Sequence, residues 1–257
     1  MFLICPCHTP EFLTEHGLGI EAFVTKIELL PNWEQYLPFA KGVHLPYKDL
    51  NLAALDDELR QRSIDSVKSA IDEGYNRYSV NRMVMHSMGI QRRHGVEVGN
   101  YERMIDGLRQ LADYAATKNI TLCLENQCLH IPHLDRFGTM AHEWLQLPKD
   151  VERPNIMLTL DTSHAACAAA TLETAEERFA YMFEFLKYPE LIGRVHWSDS
   201  RLTNNEAYRN DMHLVPGEGD LPIEFHRQIK ALDAVKTLEQ HVSEERVIQG
   251  LQFIESL

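Results

Sequence analysis

The sequence predicts an α/β protein: a single (β/α)8 TIM barrel over residues 1–257. Three observations carry this. Eight short apolar runs cover the chain, mostly separated by segments with helical spacing. That alternation favours a parallel sheet, and eight such units favour closure into a barrel. Six of the runs end in His, Asp or Glu, and the C-terminal ends of barrel strands form one catalytic face. Finally, 257 residues with 44% hydrophobic content suffice for one large core. An open doubly wound sheet is the rival. It normally carries a glycine fingerprint after an early strand, and Gly17-Leu18-Gly19 lacks the third glycine.

Phe2 to Cys5 reads as the first strand. No basic n-region or small-residue cleavage site marks this start as a signal peptide. Ala22 to Leu29 reads as the second strand, and Gly42 to Leu45 as the third, closed by Pro46, which cannot donate to a central ladder. Only a short helical piece around Trp33 to Phe39 separates these two. A helix is expected from Asp56 to Asp72, with Leu59, Ile64, Val67 and Ile71 on one face and Gly74 as its stop. Arg82 to His86 is the fourth strand, followed by a polar loop over 88–100. Met104, Ile105, Leu108, Leu111 and Tyr114 then mark a helix ending near Asn119, and Ile120 to Glu125 is the fifth strand.

A segment holding His130, Pro132, His133 and Gly138 leads to a short helix around Ala141 to Leu145. Ile156 to Asp161 is the sixth strand. Glu173 to Lys187 is helical, with Phe179, Met182, Phe183 and Leu186 as its apolar face. Ile192 to His196 is the seventh strand, 199–217 a long loop, Leu221 to Ile229 a helix, and Ala234 to Glu239 the eighth strand. Ser243 is placed to N-cap a last helix, with Glu244 and Glu245 in the first turn, where the helix dipole favours acids.

The 25 Lys and Arg against 38 Asp and Glu give a formal charge of −13. Such a surface repels phosphate backbones, which counts against nucleic acid and leaves a small molecule as the expected partner. No apolar run approaches the ~20 residues of a membrane helix. Five cysteines, an odd number mostly in apolar or small-residue surroundings, point to a reducing, cytoplasmic compartment. Cys5 and Cys7 are expected to share one strand face and pack in the core. The oligomeric state is open, with a homo-oligomer compatible.

The six strand ends are His44, His86, Glu125, Asp161 (with His164), His196 and Glu239, and the seventh loop adds Asp211 and His213. One strand-end histidine is ordinarily a surface residue; six such ends in order are not a chance pattern. Imidazole with carboxylate suits Mn²⁺, Zn²⁺, Fe²⁺ or Co²⁺ better than Mg²⁺ or Ca²⁺. These five histidines and four acids exceed what one ion uses, so one to three divalent ions are expected. Around them, Arg92 and Arg93 are candidates to clamp a phosphate or carboxylate of the substrate. Asn126 is a candidate to orient Glu125 or touch substrate, and Ser198 and Asp199 to support His196. Trp197 either walls the pocket or packs outside it. Gly217 and Gly219 allow a tight loop beside the site.

Several motifs, in this order, carry a family resemblance: Gly42-Val43-His44-Leu45-Pro46-Tyr47, Leu124-Glu125-Asn126, Leu160-Asp161-Thr162-Ser163-His164-Ala165, Val195-His196-Trp197-Ser198-Asp199, His213-Leu214-Val215-Pro216-Gly217-Glu218-Gly219 and Leu238-Glu239. Together they resemble the xylose-isomerase-like TIM barrels, which include endonuclease IV and many sugar isomerases and epimerases. The sugar branch implies one metal held by Glu125, Asp161, His196 and Glu239. Glu125 and Glu239 then move the substrate proton and His164 binds a substrate oxygen.

The endonuclease IV branch implies three zinc ions. His44, His86 and Glu125 hold the first; Asp161, His196 and Glu239, with Glu125 bridging, the second; His164, Asp211 and His213 the third. All nine positions are filled, yet the chain is acidic and shows no basic DNA-penetrating loop beyond the small Arg92-Arg93 segment. The function expected is a metal-dependent isomerase or epimerase of a sugar, sugar phosphate or polyol-derived substrate, working through a metal-stabilised enediolate. The alternative is an endonuclease IV-like multinuclear phosphoesterase, cleaving abasic sites or small phosphate esters.

Overall fold

Eight apolar runs become the eight parallel strands of one closed barrel, seen in a computed structural model that describes residues 1–24, 32–129, 133–202 and 211–257. Numbered along the chain, the barrel strands are β1 (Phe2–Ile4), β2 (Gly19–Phe23), β3 (Ala40–His44), β4 (Arg82–His86), β7 (Thr121–Glu125), β9 (Ile156–Asp161), β10 (Ile192–His196) and β11 (Val235–Leu238). Their order around the barrel is β1-β11-β10-β9-β7-β4-β3-β2. Such strands are covered on both sides, which is why they read as continuous apolar runs and not as alternating ones.

The outer layer is built from α1 (Pro10–Glu15), α2 (Asp57–Tyr78), α3 (Tyr101–Ala116), α4 (Ala141–Val151), α5 (Thr162–Ala169), α6 (Ala175–Met182), α7 (Ile223–Ala231) and α8 (Glu244–Ser256). Their buried stripes, such as Ile64, Val67 and Ile71 on α2 and Met104, Leu108 and Leu111 on α3, face the sheet. Each fully buried side chain of this kind contributes about 1.5–3 kcal/mol. The short piece at Trp33–Phe39 is a 3-10 helix.

Four sequence expectations are corrected. The second strand lies earlier than Ala22 to Leu29, pairing Leu3 with Gly19 and Ile4 with Ile20; residues 25–29 of that expectation fall outside the described residues. Its acid, Glu21, is buried inside the barrel and not solvated. Second, α2 does not stop at Gly74 but runs to Tyr78 and ends at Ser79 in the left-handed conformation. Gly74 serves close packing: a Cβ there would stand 2.8 Å from Met83 Cε. Third, the polar segment 88–100 is partly strand. β5 (Ile90–Arg93), β6 (Val96–Glu97) and β8 (Leu134–Arg136) form a small antiparallel sheet in the order β6-β5-β8. Fourth, Cys7 lies beyond β1 and is exposed, so it does not share the buried place of Cys5.

Ser243 holds the N-cap position of α8 without a side-chain capping bond. A capping box forms on α6, between Thr174 and Glu177. Among the described residues no helix is long and apolar enough to cross a membrane.

Candidate metal centre

The strand-end residues converge at the C-terminal mouth of the barrel in overlapping groups. Glu125, Asp161, His196 and Glu239 place one donor atom each within 4.8 Å of one another, and so do His44, His86 and Glu125. Asp161, His164 and His213 form a third group, and Cys128, His164 and Asp211 a fourth. Strand geometry brings this about. The pairings His86 with Glu125 and Asp161 with His196 put consecutive strand ends side by side. α5 starts directly from β9, with Asp161 as its N-cap accepting the His164 N–H at 2.8 Å. That turn carries His164 back over the mouth.

Tautomers decide what these imidazoles can do, because a carbonyl or ionised carboxylate only accepts. His44 Nδ1 donates to Leu45 O at 2.8 Å, so its Nε2 faces Glu125 Oε2 at 3.2 Å. His164 Nδ1 donates to Asn126 O at 2.8 Å, which leaves Nε2 directed at Asp211 Oδ1, 3.7 Å away. His196 Nε2 donates to Glu21 Oε1 at 2.7 Å, and its Nδ1 faces Glu239 Oε2 at 2.9 Å and Glu125 Oε1 at 3.2 Å. In each case the second ring nitrogen faces carboxylate oxygens, an arrangement that a proton or a shared cation between them satisfies. Donors sharing one ion at about 2.1 Å stand roughly 3–3.5 Å apart. Among the described residues, Asp161 Oδ2, Glu239 Oε2 and His213 Nδ1 are also buried with no hydrogen-bond partner. The residues present therefore fit a divalent metal.

The electrostatics agree. Burial works against the imidazolium of His196, yet the carboxylates of Glu239, Glu21 and Glu125 hold it well above the ordinary histidine range. Burial likewise opposes the His213 cation, but Asp161, Asp211 and Glu239 push it up to about 10. Glu125 is buried, which raises its pKa, but His196 and His86 pull it well below the carboxylate range. Without a metal, protons on these imidazoles answer the buried acids.

All nine expected ligands are thus brought together. Asp211 and His213 contact each other at 2.9 Å on the loop after β10. The remaining candidates divide. Arg93 lines a cavity of about 850 Å³ that opens above the centre, together with His44, His86, Glu125, His164 and Glu239. Arg92 does not; it faces Asp135 at 4.0 Å on the far side of the small sheet. Asn126 is fully buried and acts as a strut: its Nδ2 donates to Asp161 O at 2.9 Å and its Oδ1 accepts the Asp161 N–H at 2.7 Å. Trp197 is fully buried outside the cavity, its Nε1 donating to His226 Nδ1 at 2.9 Å. Ser198 bonds Ser163 at 2.9 Å and Asp199 pins the following loop, so neither touches His196.

Sequence reasoning missed Glu21 and Arg136. Glu21 spans from His196 to the Arg194 guanidinium, and Arg194 fills the space a Cβ at Gly42 would take. Burial opposes its charge, but Arg194 and His196 hold its carboxyl at about 2. The signal available was Arg194 itself: a cation in the middle of an apolar strand needs a buried anion.

Fold and site together define a class, a closed (β/α)8 barrel with an imidazole and carboxylate centre at the strand ends. Residues 32–257 match the model of the xylose isomerase-like TIM barrel family, and the chain belongs to that family. It is similar to an uncharacterised protein of Methanocaldococcus jannaschii, 26% identical over 203 residues. The match covers 77% of this chain and 63% of that relative, so the chain spans less than two thirds of its length. Among solved structures it is similar to a D-tagatose 3-epimerase-like protein, with a TM-score of 0.73 at 18% identity over 100% of this chain and 96% of the other. It is also similar to 3-keto-D-glucoside 4-epimerase from E. coli, with a TM-score of 0.68 at 14% identity over 96% and 93% of the two chains. At these identities the two structures share the fold with this chain.

Proposed function

We propose that the protein is a divalent-metal-dependent isomerase or epimerase acting on a small carbohydrate-derived substrate. The observation that carries this is the quartet Glu125, Asp161, His196 and Glu239, two of whose members, Glu125 and Glu239, also line the cavity. An ion held by the four, Mn²⁺, Zn²⁺, Fe²⁺ or Co²⁺, supplies Lewis acidity to adjacent carbonyl and hydroxyl oxygens of the substrate. The protein does the rest. Glu125 and Glu239 approach the reacting carbon from the wall of the cavity; one takes the proton beside the carbonyl and the other returns one. His164, its ring fixed through Asn126 O, presents Nε2 to a substrate hydroxyl. His44 and His86 hold Glu125 in place through Oε2 at 3.2 and 3.1 Å. The cavity size fits a monosaccharide or its ester, since small-molecule pockets span about 300–1,000 Å³. Of the two solved structures of similar fold, one is named as a 3-keto-D-glucoside 4-epimerase and the other as D-tagatose 3-epimerase-like, which supports a carbohydrate substrate.

A second reading rests on a separate observation: the His44, His86, Glu125 group and the His164-centred groups stand beside the quartet. Two or three ions there would serve phosphoester hydrolysis, with His44 and His86 as ligands and not as supports for Glu125. Metal analysis of protein purified without chelators separates the two. About one ion per chain, with sugar turnover lost on chelation and regained on adding Mn²⁺, is the expected result. Two or three ions with turnover of a phosphate ester and of no sugar would establish the second reading instead.

A further inference from the structure

The small sheet of β5, β6 and β8 covers one side of the cavity. Ile90 pairs with Arg136 and Arg93 with Leu134, and all four side chains line the cavity, whereas Arg92 and Asp135 face away. Two cations are thus turned inwards by strand alternation. Arg136 is the more enclosed of them, and its guanidinium makes no hydrogen bond or ion pair among the described residues. Burial draws its pKa below the ordinary arginine range, with the Cys128 thiol and the Tyr47 phenol beside it. A guanidinium stays charged and offers five donors in a planar fork. The Arg136 nitrogens are not sealed from solvent, so the fork stands open to a ligand in the cavity. Lys48 and Arg62 stand farther out on the same cavity, the latter paired with Glu58 at 2.8 Å. Apart from Asp49, the acids lining the cavity among the described residues are the metal-centre carboxylates Glu125, Asp211 and Glu239.

We infer that the substrate carries an oxyanion, a phosphate or a carboxylate, and that Arg136 receives it with Arg93 alongside. This rests on the function proposed above and names its substrate class: a sugar phosphate or a sugar acid, not a neutral sugar. A bidentate arginine–oxyanion pair matches the fork geometry. It also explains how an acidic protein admits an anion: the inward face of the small sheet is basic although the surface is not.

The test uses metal-loaded full-length protein and three ligands sharing one carbon scaffold: glycerol 3-phosphate, glycerate and glycerol. Calorimetry on the wild type should show one of the two anions binding at least about 10-fold more tightly than glycerol, and which one identifies the oxyanion. Arg136→Met should weaken that anion about 10- to 100-fold while leaving glycerol unchanged. Arg136→Lys should retain part of the gain, and Arg92→Met all of it. A circular dichroism melt confirms that each variant folds. Equal binding of glycerol and both anions, or an Arg136→Met variant that binds the anion as the wild type does, would overturn the assignment. A sugar panel keeps the two claims apart. Turnover of neutral sugars with no gain from an anionic group removes the anion site and leaves the isomerase. Anion binding that depends on Arg136 without turnover of any sugar does the reverse.

Discussion

Glu21 does two things at once from the middle of β2. It neutralises Arg194 inside the barrel and fixes the His196 ring with Nδ1 towards the other carboxylates. A partner of this kind sets the tautomer and orientation of a metal-ligating histidine, and losing it typically costs about 10–100-fold in metal affinity. Glu21→Gln should therefore weaken Mn²⁺ binding by that factor in calorimetry. It should also destabilise the fold by about 3 kcal/mol, because it strands the buried Arg194 charge. Adding Arg194→Met should recover the stability and not the affinity. If Mn²⁺ binds the single variant as tightly as the wild type, Glu21 serves Arg194 alone. At this scale the nine ligands were legible because each follows an apolar run or sits in a short motif. Glu21 was not: the expected strand began one residue after it, at Ala22, and the observed strand, Gly19–Phe23, has it at its centre, facing Arg194.

The loop after β10 holds Asp211 and His213 over the mouth, and Asp199 anchors it. Asp199 accepts from Ser200 N at 2.8 Å, Leu221 N at 3.1 Å and Gly217 N at 3.0 Å, with His226 Nε2 at 3.3 Å. Burial raises the Asp199 pKa, but His226 and the backbone N–H groups of Gly219 and Ser200 bring it below the ordinary aspartate range. A depressed folded pKa gives stability that is full above the unfolded value of about 4 and is lost as pH falls through the lower folded value. Asp199→Asn should thus lower stability by about 2 kcal/mol at neutral pH. Its Tm difference from the wild type should shrink towards zero as the medium is acidified past both values. A difference that stays constant down that range would mean the carboxylate charge plays no part. Among the elements, β4 and β10 match their sequence reading residue for residue. The small sheet was not legible, since Ile90–Arg93 carries one apolar residue in four, β6 is two residues long, and the other partner strand, β8, lies over 40 positions along the chain. α5 was also hidden, because it follows β9 with no intervening turn residues to signal a start.

Across the whole molecule, charge and fold point the same way. A chain of formal charge −13 concentrates Glu125, Asp161, Asp211 and Glu239 at one end of its barrel. A cation bound only by the folded state stabilises it by mass action, about 4 kcal/mol at a thousandfold excess over Kd. Chelator-treated protein should melt lower than the wild type as purified, and Mn²⁺ should restore the difference in a concentration-dependent way; an unchanged Tm would speak against a resident ion. The barrel itself was legible from eight strand-and-helix units, while the chemistry depended on knowing which strand ends share a cavity. That chemistry is tested most directly by proton exchange. Metal-loaded protein is incubated with sugars, sugar phosphates and sugar acids in D2O and followed by NMR. Deuterium should enter at the carbon beside the carbonyl of one substrate, and disappear with Glu125→Gln or Glu239→Gln. No exchange with any member of the panel, together with release of inorganic phosphate from an ester, would contradict an isomerase and leave a phosphoesterase in its place.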